Sequence, residues 1–327
     1  MISACIALGN RLHLFDALAK VGSEEKPATA AQVAEESGCK ERYVREWLAV
    51  MATSDIISVT EDEKFFIKKE HIEDLTSSTG VVSHSFLPAF LKPYEKVCSV
   101  FKKDGPYGIH HTDIAPEFHD IMAKFSEARH KKYFITDFVP ALGADIKASF
   151  GIENRNRSTF PKSHFTGIDI SPEAIKLAKE LEKDDGKKYE NLSFFEMDAM
   201  KLDPAWTNKF DLVTNINACH GQMRPDLGLK EIHRVLKPGG VLGMLEIYGT
   251  SNIYKDKHEL GEQAAIRYAR SIFGCLPLGS NSKDALGLGT MWGIERAKKL
   301  LKEAGFDDVK LVPTPHFEAN ILYICKK

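Results

Sequence analysis

Short apolar runs alternate with segments of helical periodicity in the C-terminal half of the chain. Buried strands are predicted at residues 163–169, 192–197, 210–216 and 241–247, and a helix at 226–236. Short buried strands separated by helices are typical of a doubly wound, mostly parallel α/β sheet. Near the end, residues 309–312 and 321–325 are joined by a proline-containing turn and are predicted to form an antiparallel edge hairpin.

The first 80 residues have a different pattern. An amphipathic helix begins at the first residue with no cap before it, so the natural helix is expected to start further upstream. Two more helices are predicted at 30–37 and 40–52, and Gly38 ends the first of them. A hairpin with strands at 56–59 and 64–67 follows. This order of helix, helix–turn–helix and hairpin indicates an α-helical winged-helix domain.

The length of 327 residues suggests two domains. We assign residues 1–80 to the winged helix, 81–135 to connecting helices and 136–327 to the α/β domain. Residues 253–281 form an insertion after the 241–247 strand. Its aromatic members, among them Tyr268, would suit a lid over a substrate, and plain helix packing explains them equally well.

Composition limits the possible functions. The hydrophobic share of 43%, the charged share of 28% and the formal net charge of −2 are ordinary, and they point to neither nucleic acid nor an anionic membrane. No apolar run approaches the ~20 residues of a membrane span. The six cysteines are scattered without a Cys-x-x-Cys pair. That distribution argues against a metal site and for the reducing environment of the cytoplasm.

Charge also bears on the winged helix, because this fold often binds DNA. Residues 1–80 contain nine Lys and Arg against fourteen Asp and Glu. A phosphate-binding surface needs the opposite balance. Nucleic acid is therefore a poor candidate as a partner, and a winged-helix regulator is kept only as an alternative.

Asp169 is the first candidate for chemistry. It ends the 163–169 strand, and Ser171–Pro172 then opens a helix with a good N-cap and a proline in the first turn. A carboxylate at the carboxyl end of a parallel strand can accept two hydrogen bonds from a ribose diol. A capping or solvated aspartate is the alternative.

Several motifs in order carry a family resemblance. They are Gly-Ile-Asp-Ile-Ser-Pro-Glu-Ala-Ile at 167–175, Asp198–Ala199, Phe-Asp-Leu-Val at 210–213 and Arg-Val-Leu-Lys-Pro-Gly-Gly at 234–240. Together they resemble the class I S-adenosylmethionine (SAM) dependent methyltransferases. Residues 218–222 and 287–293 look like pieces of the small-molecule enzymes that carry an N-terminal winged helix. The resemblance implies a Rossmann-like sheet, SAM as cofactor, a small-molecule acceptor and a homodimer formed through the N-terminal domain.

The resemblance also assigns cofactor-binding residues. Asp169 would hold the ribose and Asp198 would approach the adenine amino group, although a helix cap is an alternative for Asp198. The other residues implied to contact the cofactor are Ile170, Met197, Ala199 and Asn215. No metal is expected.

His220 is the candidate catalytic residue, because it follows the 210–216 strand where ligands of open α/β sheets bind. With an unshifted pKa near ~6.5, its imidazole could remove the acceptor's proton at neutral pH. A histidine that only hydrogen-bonds the loop is the alternative. Trp292 and Tyr268 are candidates for substrate binding, and a core role is equally compatible with Trp292.

One departure from the family pattern concerns the glycine-rich loop that approaches the methionine part of SAM. Residues 151–160 contain one glycine and two arginines and show no strand-like run. We interpret this as loss of the first, central strand and its loop. Strands 163–169 and 210–216 are then expected to pair directly, and methyl transfer to be weak or absent. A non-catalytic homologue is thus an alternative. A nicotinamide-dependent dehydrogenase is disfavoured because Gly-x-Gly-x-x-Gly is missing.

Overall fold

The computed structural model describes residues 1–76, 81–114, 126–127, 129–143, 163–180, 186, 188–314 and 316–327, without the side chains of Val82 and Ser83. The chain divides into two compact units. One comprises Met1–Glu95 and His110–Arg129, and the other comprises Lys96–Ile109 and His130–Lys327. The domain boundaries at residues 80 and 135 stay predictions.

The N-terminal unit is built from short helices and a two-stranded hairpin. Its elements are α1 (Ile2–Arg11), α2 (Leu14–Val21), α3 (Ala30–Ser37), α4 (Glu41–Thr53), β1 (Ser58–Val59), β2 (Phe65–Phe66), α5 (Ile72–Thr76) and α6 (Val82–Leu91). The single predicted first helix is broken in two at His13, whose backbone is left-handed with φ 55°. Thr29 and Gln32 form a capping box at the start of α3, and Gly38 ends it at φ 66°.

The core of this unit is one apolar cluster. Trp47 packs edge-on against Phe15 with ring centroids 4.9 Å apart, and its indole Nε1 donates to the carbonyl oxygen of Cys5 at 2.9 Å. Leu18, Leu48 and Met51 are fully buried beside them. The antiparallel β1–β2 hairpin follows α4. The order of elements predicted for a winged helix is therefore observed.

The α/β unit contains two pieces of sheet. Strands β3 (Phe165–Asp169) and β4 (Leu192–Glu196) pair in parallel, and the second sheet has the order β5 (Phe210–Ile216), β6 (Leu236–Ile247), β8 (Asn320–Lys326) and β7 (Val309–Pro313). The β5–β6 ladder is parallel, and the β6–β8 and β7–β8 ladders are antiparallel. The sheet is thus mixed rather than mostly parallel, and β7 lies beyond β8 at the edge.

Helices connect and flank these strands. They are α7 (Tyr94–Val100), a π-helix (Phe134–Phe138), α8 (Val139–Ala141), α9 (Pro172–Lys179), α10 (Pro225–Val235), α11 (Ile253–Leu260), α12 (Glu262–Phe273), α13 (Cys275–Leu278) and α14 (Gly293–Glu303). The predicted insertion after β6 thus forms α11, α12 and α13. None of the helices in the described ranges is both long and apolar enough to cross a membrane.

The prediction that β3 pairs directly with β5 is wrong among the described residues. Strand β3 forms a ladder with β4 and β5 forms one with β6, in separate sheets. The two pieces still share an apolar layer, in which Ile168 of β3 and Val213 of β5 pack against Trp206 and Leu202. Side-chain packing therefore joins the pieces where no backbone ladder is seen. Residues 151–160 and the strand predicted to be lost lie outside the described residues.

Candidate functional site

The candidate site is built on the turn that follows β5. Asn217 has a left-handed backbone with φ 51°, and its amide donates to the carbonyl oxygen of Leu245 on β6 at 2.8 Å. Its side-chain oxygen accepts from Asn320 Nδ2 at 2.6 Å. A 3₁₀ turn over Cys219–Gly221 comes next. These bonds tie the turn to the carboxyl end of β5 and bury His220, which is 4% exposed.

A carboxylate on the neighbouring strand holds this turn. Glu246 of β6 is fully buried, and its Oε1 accepts from the backbone amides of Cys219 at 2.9 Å and His220 at 3.3 Å. Its Oε2 lies 2.5 Å from Nδ1 of the His220 ring. Glu246 was not among the residues predicted from the sequence, although an acid inside the otherwise apolar 241–247 run was a signal for it.

The charge of the pair differs from the sequence-based expectation. Burial of the His220 imidazole opposes its charged form, but the Glu246 carboxylate outweighs burial and raises the pKa of His220 well above its ordinary value. The assumption of an unshifted pKa near ~6.5 is therefore wrong. The pairing therefore favours the charged imidazolium more than in an isolated histidine. Burial and the same carboxylate raise the pKa of the Cys219 thiol.

A second cysteine begins a short helix that lies against the turn carrying His220. Cys275 begins α13, and its thiol interacts with the His220 ring. Burial acts to raise the pKa of this thiol, but the hydrogen bond and positive charge of His220 outweigh it, so the pKa of Cys275 lies below its ordinary value.

Five of the six predicted cofactor residues lie at the carboxyl ends of β3 and β4, and the sixth, Asn215, lies on β5. The amide of Met197 donates to the carbonyl oxygen of Asp169 at 2.9 Å, which places the two strand ends side by side. Asp169 Oδ1 accepts from the Ser171 amide at 2.8 Å, and Asp198 Oδ1 accepts from the Met200 amide at 2.9 Å. One oxygen of each carboxylate therefore acts as a local cap, and Oδ2 of each is open to a ligand in the described part of the chain.

The surroundings of these carboxylates fit the nucleoside part of SAM. Ile170 is 62% exposed directly after Asp169, and such an apolar side chain beside an open carboxylate suits an adenine ring next to a ribose. Met197 and Ala199 are partly buried at the same edge. Asn215 Oδ1 on β5 is buried and, among the described residues, has no hydrogen-bond partner. These side chains account for the nucleoside part of SAM only. The segment expected to approach the methionine part, residues 151–160, lies outside the described ranges.

The two predicted substrate-binding residues, Trp292 and Tyr268, both make contacts within the protein. Trp292 is fully buried in the core with Met244 and Tyr323, so it offers no surface to a ligand and the core alternative is the one observed. The Tyr268 hydroxyl donates to Asp256 Oδ2 at 2.7 Å, and Asp256 is itself fully buried.

No group of three or more metal-ligating side chains occurs among the residues that the structure describes.

Family models match most of the chain in two parts. Residues 147–305 match a methyltransferase domain, and residues 1–77 match the Rv2258c-like winged HTH domain. Among curated proteins, the chain is similar to the demethylmenaquinone methyltransferase of Chlorobaculum parvum, with 29% identity over 191 residues, 56% of this chain and 72% of that protein. The methyltransferase-domain match at residues 147–305 includes the β3–β6 region that carries the candidate site.

Solved structures resemble this chain over nearly its whole length. A proposed O-methyltransferase from Nostoc punctiforme has a TM-score of 0.69 at 16% identity, covering 99% of this chain and 95% of that one. Human N-acetylserotonin methyltransferase in complex with SAM has a TM-score of 0.65 at 16% identity, covering 100% and 94%. At such low identity the likeness concerns the fold, and it confirms the predicted α/β class and the N-terminal winged helix.

Proposed function

The chain belongs to the class I SAM-dependent methyltransferases with an N-terminal winged-helix domain, and on this premise we propose that it transfers the methyl group of SAM to a hydroxyl of a small-molecule acceptor. The buried His220–Glu246 pair at the carboxyl end of β5 carries this proposal. It provides a proton acceptor where ligands of open α/β sheets bind. An acceptor that must lose a proton as it is methylated requires such a group.

The cofactor, when bound, supplies an electrophilic methyl group, and alignment with the acceptor is the main task of the protein. We assign the ribose hydroxyls to the open oxygen of Asp169. The adenine amino group is assigned to Asp198 and the ring to Ile170, Met197 and Ala199. Asn215 of β5 is assigned to the cofactor as well, since its buried side-chain oxygen has no hydrogen-bond partner among the described residues. The exposure and hydrogen bonding of these side chains support the assignments.

His220 handles the proton in this proposal. Glu246 occupies Nδ1, so an acceptor hydroxyl would reach the ring through Nε2, where it would take the place of the Cys275 thiol. The neutral imidazole takes the acceptor's proton, and the Glu246 carboxylate stabilises the imidazolium that forms. Because the same carboxylate raises the pKa of His220, the neutral imidazole becomes more abundant only at a higher pH than for an ordinary histidine. Activity is therefore expected to increase as the pH rises.

We further propose that methyl transfer is slow compared with that of a family member with a full glycine-rich loop. The single glycine within residues 151–160 supports this, since glycine lets the backbone approach a ligand closely. A non-catalytic homologue is the second candidate, and it rests on the same segment. The two candidates differ in whether S-adenosylhomocysteine accumulates at all.

The assembly and location of the protein are also proposals. Exposed apolar side chains of α1 and of the residue that follows it, namely Ile2, Leu8 and Leu12, support a homodimer formed through the N-terminal unit. Six free cysteines support a reducing, cytoplasmic compartment. Light scattering coupled to size exclusion tests the first proposal, and a mass of one chain would contradict it.

Calorimetric titration with SAM tests the function most directly. We expect binding in the wild type and weaker binding in Asp169→Asn, which keeps the shape of the side chain and removes its charge. Asp211→Asn is the matched control, because Asp211 is an exposed aspartate that bonds to Lys237 at the opposite end of β5. Absence of heat and of a thermal shift at millimolar SAM would remove the enzyme proposal. Binding without S-adenosylhomocysteine formation would leave the non-catalytic homologue.

A further inference from the structure

Two arginines lie three residues apart on α12, so their side chains are neighbours on the surface of that helix. They are Arg267, which is partly buried, and Arg270, which is exposed. Arg267 Nη1 donates to the carbonyl oxygen of Tyr248 at 3.0 Å. Tyr248 directly follows β6, and its amide donates to the carbonyl oxygen of Ala319 at 2.8 Å. The contact therefore holds a guanidinium at the carboxyl end of β6.

The same end of β6 carries the His220–Glu246 pair. Glu246 and Tyr248 are two residues apart, and the rise of a strand separates their Cα atoms by roughly 7 Å. The Glu246 carboxylate reaches the His220 ring, and the carbonyl oxygen of Tyr248 reaches Arg267. A small acceptor whose hydroxyl meets the imidazole can therefore extend toward the guanidinium.

The carboxylates that lie near α12 do not neutralise its two arginines. The buried Asp256 accepts from the Tyr268 hydroxyl at 2.7 Å, and Glu259 accepts from the Tyr248 hydroxyl at 2.9 Å. In the described part of the chain, neither of these acids nor any other carboxylate forms an ion pair with the two guanidiniums. The positive charge at this end of the sheet thus lacks a bonded counterion within the described residues.

Most donors of the two guanidiniums are also free among the residues that the structure describes. Arginine has five N–H donors, and Arg267 uses Nη1 alone, while Arg270 forms no hydrogen bond there. Burial and the positive charge of Arg270 lower the pKa of Arg267, and the negative charge of Asp256 does not offset them. Because an arginine keeps its charge in a protein, such a cation favours an anionic ligand.

We propose that Arg267, assisted by Arg270, binds a carboxylate of the acceptor, so that the substrate class is a small hydroxylated carboxylic acid. This inference rests on the proposed methyl transfer and adds the chemical class of its acceptor. The planar donors of a guanidinium match the two oxygens of a carboxylate. A neutral acceptor of the same size leaves the cation unpaired and is therefore disfavoured.

Titration calorimetry with paired probes tests this selection. The acids 3-hydroxybenzoate, 4-hydroxybenzoate and 3,4-dihydroxybenzoate are compared with their methyl esters, which keep the ring and its hydroxyls and lose the negative charge. Each probe is titrated into the full chain with and without S-adenosylhomocysteine. We expect at least one acid to bind about tenfold or more tightly than its ester. Absence of a preference for the acid in all three pairs would overturn the proposal.

Variants separate a specific carboxylate contact from a structural role of the helix. Arg267→Gln should abolish the preference for the acid, Arg267→Lys should keep part of it because the charge remains, and Arg270→Gln should reduce it less. Arg42→Gln is the control, because Arg42 lies in the N-terminal unit and bonds to Glu46 at 2.5 Å. A preference that persists in Arg267→Gln, or equal losses for acid and ester, would contradict the assignment. Melting temperatures check that each variant is folded.

The same samples distinguish this inference from the proposed function. SAM is titrated into the wild type and into Arg267→Gln, and its affinity should be equal in both. Binding of SAM without any preference for the acids would remove the carboxylate site alone. A preference for the acids without SAM binding would keep that site and remove methyl transfer.

Discussion

Replacing Glu246 by glutamine tests the central electrostatic claim. The amide keeps the shape and an oxygen that can accept from the backbone amides of Cys219 and His220. It removes the negative charge 2.5 Å from Nδ1 of His220. A hydrogen bond to a charged group contributes about 1.5–3 kcal/mol. At 1.36 kcal/mol per pKa unit, the pKa of His220 should fall by roughly one to two units.

The pKa of His220 can be measured directly by an NMR pH titration of the histidine ring signals, with His220→Asn used to assign the resonance among the twelve histidines. In the wild type His220 should titrate well above its ordinary value, and in Glu246→Gln it should titrate lower. Glu259→Gln is the control, because it removes an exposed carboxylate that hydrogen-bonds Tyr248. A wild-type pKa near ~6.5, or no downward change in Glu246→Gln, would refute the reasoning.

The raised pKa of His220 also predicts how the free energy of unfolding depends on pH. A histidine whose pKa is raised on folding contributes stability that is fully present below its unfolded pKa and is lost as the pH rises through the folded pKa. Wild-type protein should therefore lose part of its free energy of unfolding between about pH 6.5 and the raised pKa. The loss should be smaller in Glu246→Gln, and melting temperatures across this range measure it.

Three further substitutions have defined outcomes. Asp169→Ala should weaken SAM binding by about 1.5–3 kcal/mol in calorimetry while the melting temperature is kept, and unchanged affinity in the folded variant would remove the ribose role. Trp292→Ala should cost about 3–5 kcal/mol of unfolding free energy, as expected of a core residue, whereas Trp292→Phe should be far milder because the indole Nε1 is buried without a partner in the described residues. Tyr268→Phe should cost about 1–3 kcal/mol, because Asp256 loses one of its hydrogen bonds in a fully buried position, and an unchanged chemical denaturation midpoint would contradict this.

Local sequence patterns were sufficient for most of the individual elements. Strand β5 occurs at the predicted residues, and α3 has the predicted bounds. The reason is that caps, stop signals and apolar periodicity act within a few residues. The motif at 167–175 likewise placed Asp169 at the end of β3, where the structure has it.

Contacts between distant residues were decided only by the tertiary structure. The parallel register that aligns Ile216 with Leu245 brings the Glu246 carboxylate into contact with the His220 ring, 26 residues away in sequence. Packing of α13 then adds Cys275, and the combined burial and charge raise the pKa of His220 where the sequence suggested an ordinary value. Strand pairing could not be predicted from the sequence either. Among the described residues β3 pairs with β4 and not with β5, because pairing depends on which strand edges come together in the folded chain. Local sequence patterns do not predict such long-range contacts, because these contacts depend on how the whole chain folds.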